Sequence, residues 1–292
     1  MGWLSLSLIC ALALAACDAA SKKWLAAYTA AELVVVRFGI SAILLLPVLI
    51  MHPPRPVSGV FWAWVGAALP LEVLAMAMYM VAIRDSALSL TLPYLAFTPV
   101  FTVLSAWLLL GEKVAAQGLA GIALVVLGAY GLNIEHARLS RWKSWMAPMQ
   151  AVLSQRGSRL MLGVATIYSV TSVLGKGAMQ YMPAASFGPF YFALLGAFTL
   201  LIFSWREPRA LRRLVSWKPV HLAVGVLMAV MVTTHFLALE RVQVAYMISV
   251  KRSSILFGIV LGALFFGERR LARNLAAGGL MFAGVVLIAL RT

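Results

Sequence analysis

Gly111-Glu112-Lys113 lies between two long apolar runs, and 156 positions later Gly267-Glu268-Arg269 does the same. The same offset pairs Phe101 with Phe257, Leu108 with Leu264, Ala116 with Ala272, Leu119 with Leu275, Leu124 with Leu280 and Gly128 with Gly284. A register kept over this many positions reads as an internal duplication at half-length.

Working outward from that repeat, the composition excludes a soluble globule. Of 292 residues, 63% are hydrophobic and only 11% charged, where soluble domains run near half apolar and about a quarter charged. The net charge of +15 does not point to nucleic acid, because most Lys and Arg fall between apolar runs, where anionic lipid headgroups lie. Cys10 and Cys17 are seven apart on one expected helix. That places them about 10 Å apart at ~1.5 Å per residue, beyond the ~7 Å reach of a disulfide. They read as small packing residues. Leu14-Ala15-Ala16-Cys17 matches a lipoprotein cleavage box, yet no Lys or Arg precedes the apolar run. The run is therefore expected to remain as a first spanning helix.

A transmembrane helix needs roughly 20 apolar residues, and ten segments qualify. They run from Trp3 to Ser21, Ala30 to Met51, Gly59 to Ile83, Ala87 to Leu110, Val114 to Ile134, Arg159 to Met182, Ala184 to Trp205, Pro219 to Leu239, Val244 to Phe266 and Arg270 to Leu290. Five per half is odd, so the second copy enters from the opposite side. The expected fold is an all-α integral membrane protein, ten transmembrane helices as two inverted five-helix repeats, 1–134 and 159–292, joined by a basic connection 135–158.

That connection carries Arg138, Arg141, Lys143 and Arg156 beside Trp142 and Trp145; the other long connection, 206–218, holds Arg206, Arg209, Arg212, Arg213 and Lys218 between Trp205 and Trp217. Basic residues with flanking Trp suit a headgroup interface. Applied to these loops, the positive-inside rule puts both termini away from the cytoplasm.

At the two Gly-Glu turns the resemblance becomes specific. Segments 87–131 and 245–288 resemble the two repeats of the EamA family, in the drug/metabolite transporter superfamily, which includes bacterial amino-acid and metabolite exporters. Arg37, Pro99 and Lys176 also stand where that family's repeats place such residues. The resemblance implies ten helices, a bacterial inner-membrane location and export of small metabolites; it also implies cytoplasmic termini, opposite to the loop count. Where the first repeat has Leu95-Ala96, the second has Lys251-Arg252. That pair resembles the substrate-contacting pair of the related triose-phosphate and nucleotide-sugar transporters and implies anion contact.

An ionisable group at mid-bilayer costs ~2.5–3.5 kcal/mol on insertion scales, so each needs a partner or a hydrated cavity. Lys251 and Arg252 lie about 10 Å into their helix. Being adjacent, they point about 100° apart, so at least one is expected to face the interior and meet a substrate carboxylate or phosphate. Glu72, two residues after Pro70, is a candidate proton-coupling site, a counter-ion for that pair or a structural ion pair. His235 stands 156 positions after Tyr79, so two polar-tipped rings flank one central space in the duplicated reading. Lys176 joins the candidates on family position. Asp18, Glu32, Lys22 and Lys23, nearer helix ends, are expected to be solvated at the interface. Gly258 and Gly262 form a small-residue face for packing within a bundle, so a monomer is expected over a dimer. In the turns, Gly111 and Gly267 supply an unusual backbone angle, and Glu112 and Glu268 meet the positive start of the next helix.

Duplicated membrane units commonly build a solute site near the bilayer midplane. The expectation is a secondary transporter exporting amino acids or related polar and anionic metabolites by alternating access, with proton coupling through Glu72 or His235. A lipid or undecaprenyl-carrier flippase of the same superfamily is the alternative, and an intramembrane lipid-modifying enzyme a remote one. The sequence holds no phosphate-cradling loop, no His-Glu-x-x-His, no Gly-x-Ser-x-Gly and no Cys/His cluster of metal spacing, so no cofactor, metal or catalytic residue is expected.

Overall fold

The computed structural model describes residues 1–86, 91–131, 155–215, 218–266 and 274–290. Among them every regular element is helical. In hydrocarbon no water satisfies backbone N–H and C=O groups, so an apolar chain that crosses it makes those bonds within each segment.

The first half contains α1 (Trp3–Trp24), α2 (Ala30–Met51), α3 (Gly59–Asp85), α4 (Thr98–Leu110) and α5 (Ala116–Gly131). The second contains α6 (Arg156–Ala178), α7 (Ala184–Arg206), α8 (Pro208–Val215), α9 (Pro219–Leu239), α10 (Val244–Lys251), α11 (Ser254–Phe266) and α12 (Asn274–Ala289). Seven runs are long and apolar enough to cross a membrane: α1, α2, α3, α6, α7, α9 and the α10–α11 stretch Val244–Phe265. Three shorter apolar helices accompany them, Tyr94–Leu110, Ala116–Ala129 and Gly278–Ala289. The fourth expected segment differs from the reading above because α4 is preceded by a 3₁₀ turn, Leu92–Phe97, with a proline at its start. The connection after α7 is not plain loop either: Pro208, a good first residue for a helix, opens the short basic helix α8.

Local sequence sets several helix ends. Thr29 and Glu32 form a reciprocal capping box at the start of α2, with Glu32 N donating to Thr29 Oγ1 at 3.2 Å and Thr29 N donating to Glu32 Oε2 at 2.9 Å. α2 then widens into a π turn at Val35–Ile40, a form that inserts an extra residue into the helix and re-aims its side chains. α4 stops at Gly111, whose φ of 68° lies in the left-handed region open to glycine.

The packing is reciprocal between halves. α1 lies along α9 and α11, and α6 lies along α3 and α4; α2 meets α7, and α5 meets α12. α4 and α11 are both 13 residues long and begin 156 positions apart. Where α5 and α12 cross, a Cβ on Gly284 would stand 2.6 Å from Gly121 O, so the approach depends on the missing side chain. The Gly258 face packs within the bundle against Leu92. Outward-facing apolar side chains include Leu104, Leu108, Leu127, Leu201, Leu264 and Phe282, a surface suited to lipid and not to water.

The ends of the bundle are fixed by polar bonds. At one, Arg241 donates to Met1 O, and the 111–115 turn meets the start of α10. At the other, Lys22 reaches Ser86 O, Tyr28 bonds His221 at 2.9 Å and Arg213 of α8 pairs with Glu32 at 2.9 Å.

Candidate functional site

A cavity of about 80 Å³, its wall more apolar than polar, is lined by residues of both halves, among them Glu72 and Tyr79 of α3, Tyr168 and Thr171 of α6, His235 of α9 and Lys251 and Arg252 at the end of α10. At ~10–15 Å³ of such volume per water, it has room for several waters, which is what ionisable groups at this depth require.

Both members of the Lys251-Arg252 pair reach the cavity, although adjacent helical positions diverge. The helix is interrupted just after them: α10 ends at Lys251 and α11 starts at Ser254, while Arg252 N still makes the helical bond to Ile248 O at 3.2 Å, shared with Ser249 O at 3.1 Å. The two side chains therefore leave the helix about 100° apart, and both still line the cavity. Lys251 Nζ stands 3.3 Å from His235 Nδ1. Arg252 is 3% exposed and its Nε has no partner among the described residues. Glu72 shares the cavity but forms no ion pair with Lys251 or Arg252; the ion pairs among the described residues are Asp18–Arg37, Arg84–Asp85 and Glu32–Arg213. The wall is completed by apolar groups including Tyr191, Phe192, Phe236, Met228 and Met231.

The expectation that Asp18 is solvated at an interface does not hold. Asp18 is 2% exposed and pairs with Arg37 of the π turn, Nη2 to Oδ1 at 2.7 Å, while Tyr79 O–H donates to Asp18 Oδ2 at 2.5 Å. The reason is that α1 continues to Trp24, so Asp18 sits inside the helix and faces α2 and α3. The signal in the sequence was the spacing of Leu14, Asp18 and Ser21, which puts them on one helical face.

Lys176 does not reach the cavity. Its Nζ donates to Leu239 O at 2.5 Å, the last carbonyl of α9, and to Val242 O at 2.8 Å in the turn that follows. Lys22 does the same for α3, donating to Ile83 O at 3.0 Å and to Ser86 O. Lys176 and Glu112 line a separate open recess of about 520 Å³ at the Met1 end. Glu112 caps a helix start, but in the other half: its Oε2 accepts from Val244 N at 3.0 Å, at the head of α10 and not of α5. Gly267 and Glu268 lie outside the described residues. Among the described residues no group of three His, Cys, Asp or Glu is arranged to hold a metal ion.

A bundle of apolar helices around a buried, charged cavity defines a multi-pass membrane protein with an interior polar site. The EamA-like transporter family model matches residues 1–134 and 155–290, and the chain belongs to that family, within the drug/metabolite transporter superfamily. A solved structure titled only "Crystal structure of protein" is similar over 99% of this chain and 95% of its own, at 15% identity and a TM-score of 0.68, a likeness of fold. No curated protein matches the chain.

Proposed function

We propose that the chain is a secondary transporter that exports small metabolites, amino acids or related polar and anionic compounds, across the bacterial inner membrane. It works as a monomer, by alternating access of two inverted five-helix repeats, 1–134 and 159–292, about the connection 135–158. The reciprocal packing of α1 on α9 and α6 on α3 supports a two-fold relation between the halves. The observation that carries the reading is the cavity between them, which collects Glu72, Tyr79, His235, Lys251 and Arg252. In this reading Lys251 and Arg252 hold the solute's carboxylate or phosphate. Glu72 takes an ammonium group or, with His235, a coupling proton. The break at Arg252–Ser253 and the 3₁₀ turn Leu92–Phe97 are the places where each half flexes.

Counterflow in proteoliposomes tests this. Saturable exchange of amino acids is expected, and Lys251→Ala or Arg252→Ala should slow it about 10- to 100-fold, the scale of one lost hydrogen bond to a charged group. Unchanged counterflow in both variants at equal membrane abundance refutes the site. Lipid scrambling without solute exchange refutes the substrate class.

A further inference from the structure

We propose that Arg37 is a second anion ligand of the central cavity and binds the carboxylate of a monoanionic solute with an apolar carbon skeleton. Arg37 is fully buried in the π turn of α2 and lines the same cavity as Lys251 and Arg252. A guanidinium offers five N–H donors. Those on Nη2 are engaged by Asp18 Oδ1 at 2.7 Å, Ser21 Oγ at 3.0 Å and Cys17 O at 3.3 Å. Nη1 and Nε, carrying the other three, have no partner among the described residues.

Asp18 cannot serve those donors as well, because its Oδ1 takes Nη2 and its Oδ2 takes the Tyr79 hydroxyl. It neutralises the charge of Arg37 and fixes the guanidinium plane, leaving unmet donors at a cavity wall. Buried donors without acceptors are costly, so an arriving oxygen anion gains more here than at a donor already paired. Lys251 contacts His235 and Arg252 Nε is likewise without a partner among the described residues, so Arg37 adds its donors to theirs. With Asp18 and Arg37 cancelling and Glu72 ionised, Lys251, Arg252 and Glu72 leave one formal positive charge, which a monoanion offsets. The wall of Tyr191, Phe192, Phe236 and Met231 suits its apolar remainder.

The inference rests on the proposed reading of the cavity as a solute site, and its test reads binding, not transport. The full chain in nanodiscs is titrated with 4-methylpentanoate and with 4-methylpentanamide, which differ only in the carboxylate, and apparent affinities are read from thermal unfolding. The wild type should prefer the carboxylate by at least about tenfold, the scale of one charge-assisted hydrogen bond. Arg37→Lys keeps the charge opposite Asp18 but has one nitrogen, and the preference should fall to about threefold or less. The neutral pair Asp18→Asn/Arg37→Gln should lose it likewise, and covers misfolding of the single variant. A wild type with no preference, or either variant keeping the tenfold preference, overturns the proposal. An Arg37-dependent preference without counterflow would instead sink the transport reading and leave this one standing.

Discussion

Removing the negative partner of the Asp18–Arg37 pair gives the sharpest stability prediction. Arg37 is fully buried, and Asp18 is its ion-pair partner at 2.7 Å. Lys251 and Arg252 line the same cavity, so Asp18→Asn leaves a buried cation facing other cations. Breaking a buried pair from one side costs ~3–5 kcal/mol. Asn keeps a carbonyl for Nη2, which argues for the lower end, about 3 kcal/mol. With 292 residues and ~2.1 cal/mol/K of unfolding entropy per residue, one degree corresponds to ~0.6 kcal/mol. The expected fall in unfolding temperature is therefore about 5 °C, read by intrinsic fluorescence of the purified protein. Asp18→Asn/Arg37→Gln removes both charges and should recover to within ~2 °C of wild type, since neutralising a whole pair is far cheaper than halving it. A single variant within ~1 °C of wild type, or a double variant no better than the single, would refute the electrostatic account.

Two further substitutions probe how the halves join. Glu112→Gln weakens the cap on Val244 N and should lower the unfolding temperature by about 1–2 °C, the worth of one cap with its dipole interaction; no change would show that the bond contributes nothing. Gly284→Ala puts a Cβ 2.6 Å from Gly121 O and 2.8 Å from Val125 Cγ2. Overpacking of ~1–3 kcal/mol should cost about 2–5 °C, whereas Gly279→Ala, with nothing within 4 Å, serves as the control and should stay within ~1 °C.

The apolar runs were legible because hydrocarbon leaves the backbone one solution within a segment, so a long run becomes a helix whatever its detailed pattern. Glu72, His235, Lys251 and Arg252 were legible as candidates because an ionisable residue deep in such a run is expensive, and the structure sets all four on one cavity. Asp18 and Arg37 were harder to read, since their partnership joins two helices and nearness to Lys22 and Lys23 made Asp18 resemble an end residue. The break after Lys251 carried no signal at all: Lys251-Arg252-Ser253-Ser254 contains neither Pro nor Gly. α8 escaped notice for a different reason, because eight residues rich in Arg read equally well as a solvated basic loop.

If the two halves are repeats, as proposed, the offset of 156 sorts these charges by role. Lys22 and Lys176, within two positions of the same register, each hold two carbonyls at or just past the end of the third long helix of their own half, α3 and α9. A group used twice in the same way serves the architecture both halves need. The cavity charges are used once. At the offset of 156, Lys251 and Arg252 stand against Leu95 and Ala96, Glu72 against Met228, Asp18 against Leu174 and Arg37 against Ala193. Leu95 and Met228 also line the cavity, so the apolar wall opposite each charge is in part the other copy's version of the same position. Two identical halves would place each charge beside its own like-signed copy about the axis, where repulsion and desolvation add. In the proposed two-fold arrangement, divergence at these positions gives an asymmetric cavity, with Lys251 and Arg252 on one part of its wall and Leu95 and Met228 on others, and a solute with one charged end would need that asymmetry to bind in a single orientation.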